Sequence, residues 1–193
     1  MSKELFDRIQ DWYRNHCDGE WEHDFGVKIS NVDNPGWSVE IDLVDTALEN
    51  AQFKRHFVNG DNDWLFVEAK DKKFDGSGDT SKLNDILRIF LDEVLPAQID
   101  PEFTYTIYIP LKERHIPVWQ EVKSRLVSEN IFEITEIEEI ALNILQVRDV
   151  NDFTKIEIES LGEHGYKIGD WVNCELELLY EGVKPVVSGK VIK

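Results

Sequence analysis

Cysteine is nearly absent: Cys17 and Cys174 are the two in 193 residues. That excludes a disulfide-stapled scaffold, and without a CxxC pair it excludes the common zinc folds. Long apolar runs are missing as well. No stretch approaches the roughly 20 residues a membrane-spanning helix needs, and no charged-then-apolar leader precedes the amphipathic MSKELFDRIQDWY. A soluble, cytoplasmic protein is expected, with no membrane partner. Basic charge is scarce: 21 Lys and Arg stand against 39 Asp and Glu, for a formal net charge of -18. Both halves are acidic, so no single tail explains it. A field of that sign repels phosphate backbones, which argues against nucleic acid as a partner and favours basic partners. A phosphate-binding loop is also lacking. GSGD at 76–79 has neither the Lys and Ser or Thr of a P-loop nor full GxGxxG spacing, and it reads as a loop that ends a sheet.

What is present suffices for hydrophobic cores, with 41% apolar residues, six tryptophans and ten phenylalanines. The pattern predicts an α+β fold: an N-terminal helix, an antiparallel β-sheet and a closing helix, followed by a second small α+β unit rich in antiparallel strands. The first helix is expected over 3–17, burying Leu5, Phe6, Ile9, Trp12, Tyr13 and His16. FGVKISNV and WSVEIDLV form a hairpin about DNPG. A less regular stretch over 45–62 leads to the strand DWLFVEAK, and a short strand lies around 73–75. A second helix, capped by Thr80 or Ser81, carries Leu83, Ile86, Leu87, Phe90, Leu91 and Val94 on one face and stops at Pro96. PAQIDPE marks a boundary between units 1–97 and 103–193. The second unit opens with the strand FTYTIYIP, then a helix from Pro117 with Val118, Val122 and Leu126 at four-residue steps. The strands FEITEI, NILQVRDV, FTKIEIES, WVNCELELLY and PVVSGKVI follow, the last two joined by EGVK.

The densest polar constellation is His16, Cys17, Asp18, Glu20, Glu22, His23 and Asp24. Its donors suit a metal, but the spacing is not that of HExxH, and a helix end with a loop accounts for it equally. Cys17 beside His16 suggests a nucleophile, yet neighbours on a helix do not face each other. The pairs Glu20 with Glu22 and Asp61 with Asp63 have the chemistry of an acid and a base, and in so acidic a chain they also read as surface. Trp21, Trp37 and Trp64 sit among Asp, Glu, Asn and Gly. They either close a small core or anchor a protein partner.

In order along the chain, DWYRNHCDGEWEHDFGVKI (11–29), DNPGWSVEIDL (33–43), TALEN (46–50), NDW (62–64) and LNDILRIFLDEV (83–94) resemble immunity protein 53, a family of bacterial polymorphic-toxin systems. The resemblance covers the first half of the chain. It implies a non-enzymatic protein that binds and neutralises a cognate protein toxin stoichiometrically, with no cofactor, no metal and no catalytic residue. A basic nuclease is one candidate target. The candidate contacts are Asp18, Glu20, Trp21, Glu22, His23, Trp37, Asp61, Asp63 and Trp64, on loops. Two readings of another class stand beside it: a small metal-dependent or hydrolytic enzyme using the His16 to Asp24 cluster, and a general acidic interaction module. Residues 103–193 resemble nothing specific.

Overall fold

The computed structural model describes residues 4–111, 118–128, 130–137, 165–179 and 182–192. Helix α1 (Leu5–His16) buries Ile9, Trp12 and His16 together with Asp11 and Asn15. Its inward stripe is narrower than the sequence predicts, because Phe6 and Tyr13 lie on its flanks, 49% and 36% exposed. The single-turn helix α2 (Trp21–Asp24) then leads into a five-stranded antiparallel sheet of β1 (Val27–Val32), β2 (Gly36–Asp42), β3 (Phe53–Val58), β4 (Trp64–Lys70) and β5 (Lys73–Asp79). Its spatial order is β1-β2-β5-β4-β3. The β1–β2 hairpin turns at 33–35, where DNPG was read as the reversal. Strand β3 comes from the stretch read as irregular. It is an edge strand whose residues beyond Phe53 are all exposed, so no buried alternation marks it.

The glycines at 76 and 78 do not end the sheet, contrary to the loop reading. They lie within the central strand β5, paired with both β2 and β4. The reason is the helix above them. A Cβ on Gly76 would lie 2.3 Å from Cγ2 of Ile86, and one on Gly78 would lie 2.5 Å from Cβ of Lys82. Only a strand without side chains there lets helix α3 (Leu83–Arg88) settle so close. Neither Thr80 nor Ser81 caps that helix. Asp79 organises the turn instead, its Oδ1 accepting from the backbone N–H and hydroxyl of Ser81 and its Oδ2 from the N–H of Trp64. Nor does the helix stop at Pro96. It continues through a π-helical segment (Ile89–Val94) into helix α4 (Leu95–Gln98). The widened turns directly precede the proline, which lacks an N–H and whose ring would crowd the carbonyl four residues back.

The remaining described residues form a closed barrel of order β10-β6-β7-β8-β9, from β6 (Tyr105–Leu111), β7 (Val118–Ser128), β8 (Ile131–Glu136), β9 (Trp171–Leu179) and β10 (Gly182–Val191). All pairs are antiparallel except β6 with β10. Strand β7 replaces the helix expected from Pro117. A four-residue step fits a strand as well as a helix, and the decisive signal is that Gln120, Val122, Ser124 and Leu126 are all buried, a period of two. The expected strands NILQVRDV and FTKIEIES lie outside the described residues. Strands β9 and β10 already pair at Leu179 and Gly182, so β10 begins inside the EGVK stretch read as their connection. Overall the chain is α+β. The cores of sheet and barrel are contiguous, joining Trp12, Phe74 and Phe90 to Ile107, Phe132 and Val172. No described helix is long and apolar enough to cross a membrane.

Candidate functional site

The CDGEWEH segment is first of all a folded turn. Asp18 Oδ1 accepts from the N–H groups of Glu20 and Trp21, both at 2.9 Å, while the Glu22 carboxylate accepts from the N–H groups of Asp18 and Gly19. This reciprocal arrangement resembles a capping box and explains why carboxylates recur at that spacing. Trp21 is buried, with its indole N–H donating to the carbonyl of Val44 at 2.8 Å. Glu20, His23 and Asp24 remain exposed.

Both nitrogens of His16 are engaged. A carbonyl can only accept, so Nδ1 carries the proton and donates to Trp12 O at 2.7 Å. Nε2 then accepts from the Tyr105 hydroxyl at 3.1 Å, and that hydroxyl accepts in turn from the Ala47 N–H at 2.9 Å. Burial lowers the His16 pKa to about 4, outweighing the opposing pull of the Trp12 carbonyl and the Asp18 charge, so the ring is neutral near pH 7. Cys17 donates its thiol to the Tyr13 carbonyl, and burial raises its pKa above the ordinary thiol value. A thiol held protonated has little nucleophilic character. Among the described residues, no group of three His, Cys, Asp or Glu is placed to hold a metal ion.

Around this turn opens a cleft of about 610 Å³ between the sheet unit and the barrel. The first unit contributes the carboxylates Asp18, Glu20, Asp24 and Asp45, and the barrel contributes Glu121. Aromatic rings share the lining: Trp21 and Phe25 on one side, Phe103, Tyr105 and Tyr108 on the other. Tyr108 donates its hydroxyl to Glu121 at 3.3 Å. Among the described residues, Lys184 is the one lysine or arginine in the lining, and its ammonium donates to the backbone carbonyl of Asp18 at 3.0 Å.

The nine candidate contacts fall into two places. Asp18, Glu20 and Trp21 line this cleft, with Glu22 and His23 beside them on α2. Trp37, Asp61, Asp63 and Trp64 lie at the opposite end of the sheet, roughly 17 Å away along the strands at about 3.3 Å per residue. There, Trp64 is buried on the sheet, and Trp37 is half-buried with its N–H donating to Thr80 O. Asp63 is held by Lys82 at 2.7 Å and by the Asn59 amide, which together lower its pKa below the usual carboxylate value. Asp61 is exposed. Among the cleft residues that sequence reasoning missed are Asp45, Phe103, Tyr105, Tyr108, Glu121 and Lys184. Asp45 has one local signal, a turn position at φ 53° where Asp is among the few tolerant residues.

Comparison with curated proteins and with solved structures gives no match. The family comparison covers α1, the whole sheet and the helix through its π segment: residues 6–94 match the profile of the family described as Immunity protein 53.

Proposed function

We propose that the protein is an immunity protein of a bacterial polymorphic-toxin system, acting in the cytoplasm of its producer. It binds one cognate toxin and neutralises it stoichiometrically, without turnover. The observation that carries this reading is the match of residues 6–94 to the immunity family. The charge agrees with it: a net -18 draws in a basic partner and speeds its association, as expected for a target such as a nuclease with a positive cleft. An inhibitory interface of roughly 1,200 to 2,000 Å² is within reach of a surface this size. In this reading, 1–97 is the immunity unit and 103–193 a second unit that widens the contact surface. Hydrolytic use of the His16 to Asp24 cluster is disfavoured, because His16 has no free nitrogen and Cys17 is held as a thiol.

The test is co-expression with the product of the adjacent gene, scored for growth rescue and for co-purification as a complex of fixed stoichiometry. Rescue with such a complex is the expected result. Growth arrest with no complex formed would remove the toxin reading for that pair.

A further inference from the structure

The cleft carboxylates are compensated differently from the paired carboxylates on the sheet and the barrel. On the outer face of the sheet, Glu40 is bracketed by Lys28 and Lys73, and Glu68 by Lys54 and Lys70. In the barrel, Asp170 is paired with Lys190. In the cleft, Glu20, Asp24, Asp45 and Glu121 have no ion pair among the described residues, and Lys184 is turned to a backbone carbonyl. Carboxylates without an ion pair among the described residues are thus gathered around a concave volume of about 610 Å³ whose walls also carry the aromatic side chains of Trp21, Phe25, Phe103, Tyr105 and Tyr108. Carboxylates accept the planar fork of a guanidinium, and aromatic faces stack on it, a combination that favours arginine over the compact, strongly hydrated lysine ammonium. The volume fits a protruding side chain or loop tip and is too small for a folded element.

We propose that this cleft is the toxin-docking site, and that its occupant is an arginine-bearing loop of the basic partner protein. The proposal rests on the immunity reading and adds to it that the site is composite. Two of its recognition groups, Tyr108 and Glu121, lie in the half of the chain outside the family match. The barrel is therefore part of the binding surface, and the second half has a role in recognition.

The experiment compares two triple variants of the full chain with equal loss of charge. Asp24→Asn, Asp45→Asn and Glu121→Gln remove cleft carboxylates; Asp7→Asn, Asp33→Asn and Asp71→Asn remove exposed ones elsewhere. Circular dichroism and thermal melting first establish that both triples fold. Affinity is then measured for the toxin from the adjacent gene and, independently, for an oligo-arginine peptide against a length-matched oligo-lysine. The expected result is at least a roughly tenfold loss of affinity for the cleft triple toward both toxin and oligo-arginine, with the surface triple within about threefold of the parent. The parent should also prefer oligo-arginine over oligo-lysine. If toxin binds the parent but the two triples weaken it equally, the cleft is not the site and the proposal falls while the immunity reading stands. If no toxin binds the parent at all, the immunity reading falls for that pair. The peptide arm still judges the cleft: equal binding of oligo-arginine to both triples overturns it.

Discussion

His16 was the most chemically suggestive residue of the sequence, and its surroundings turn it into a structural one. Between Trp12 O and the Tyr105 hydroxyl it serves only as a neutral ring, and burial moves its pKa from the ordinary 6.5 to about 4. The unfolded chain therefore binds a proton in this interval that the folded chain refuses. Stability from this residue is complete above about pH 6.5 and declines as the pH falls toward 4, by on the order of 3 kcal/mol in all. Many carboxylates titrate over the same range, so the informative quantity is the difference between the parent and His16→Gln in urea midpoint from pH 7.5 to 4.5. The parent should lose its advantage over the variant as the pH falls. Parallel curves would show that His16 is not the titrating group. Motif reading picked out this residue correctly as unusual, yet it could not tell catalysis from burial, because the hydroxyl that completes the hydrogen-bond chain belongs to Tyr105, on another unit.

Helix α3 over strand β5 shows the same limit for whole elements. The 3.6-residue period of Leu83, Ile86, Leu87 and Phe90 made the helix legible, and the local chemistry of DNPG did the same for the β1–β2 hairpin. The strand was not legible. Gly76 and Gly78 look like loop residues until the helix that presses on them is known. Gly76→Ala should consequently destabilise the protein by about 1–3 kcal/mol, since the new methyl meets Ile86 Cγ2 inside a packed layer. In the Gly76→Ala/Ile86→Ala double variant that methyl enters vacated space, so thermal unfolding should show a loss smaller than the sum of the two single variants. Strict additivity would mean that the two positions do not press on each other. Strand β7 was missed for a related reason: Val118, Val122 and Leu126 satisfy both periods, and only the burial of Gln120 and Ser124 between them decides for a strand. The cleft was half legible, since Asp18, Glu20 and Trp21 announce themselves in one motif, whereas Tyr108 and Glu121 reach it only through the packing of barrel on sheet.

At the scale of the whole molecule, what joins the two units also shapes the cleft between them. Tyr105 lies at the start of the barrel, packs edge-on against Phe132 of β8, and reaches across to Ala47 and His16. Lys184 adds a second strap from β10 to the carbonyl of Asp18. Removing one oxygen tests this coupling. Tyr105→Phe keeps the ring but orphans the Ala47 N–H and His16 Nε2, each at roughly 1–3 kcal/mol when it cannot find water. The variant should therefore melt at lower temperature, and the Ala47 amide should exchange its hydrogen faster than in the parent, while amides inside the barrel remain protected. Because Tyr105 and Lys184 line the cleft as well as bridging the units, loosened coupling should also weaken the proposed docking of a toxin there even though no cleft carboxylate has changed. Unchanged melting and unchanged protection at Ala47 would mean that the continuous apolar core alone holds barrel to sheet, and that the polar bridge follows from their docking instead of fixing it.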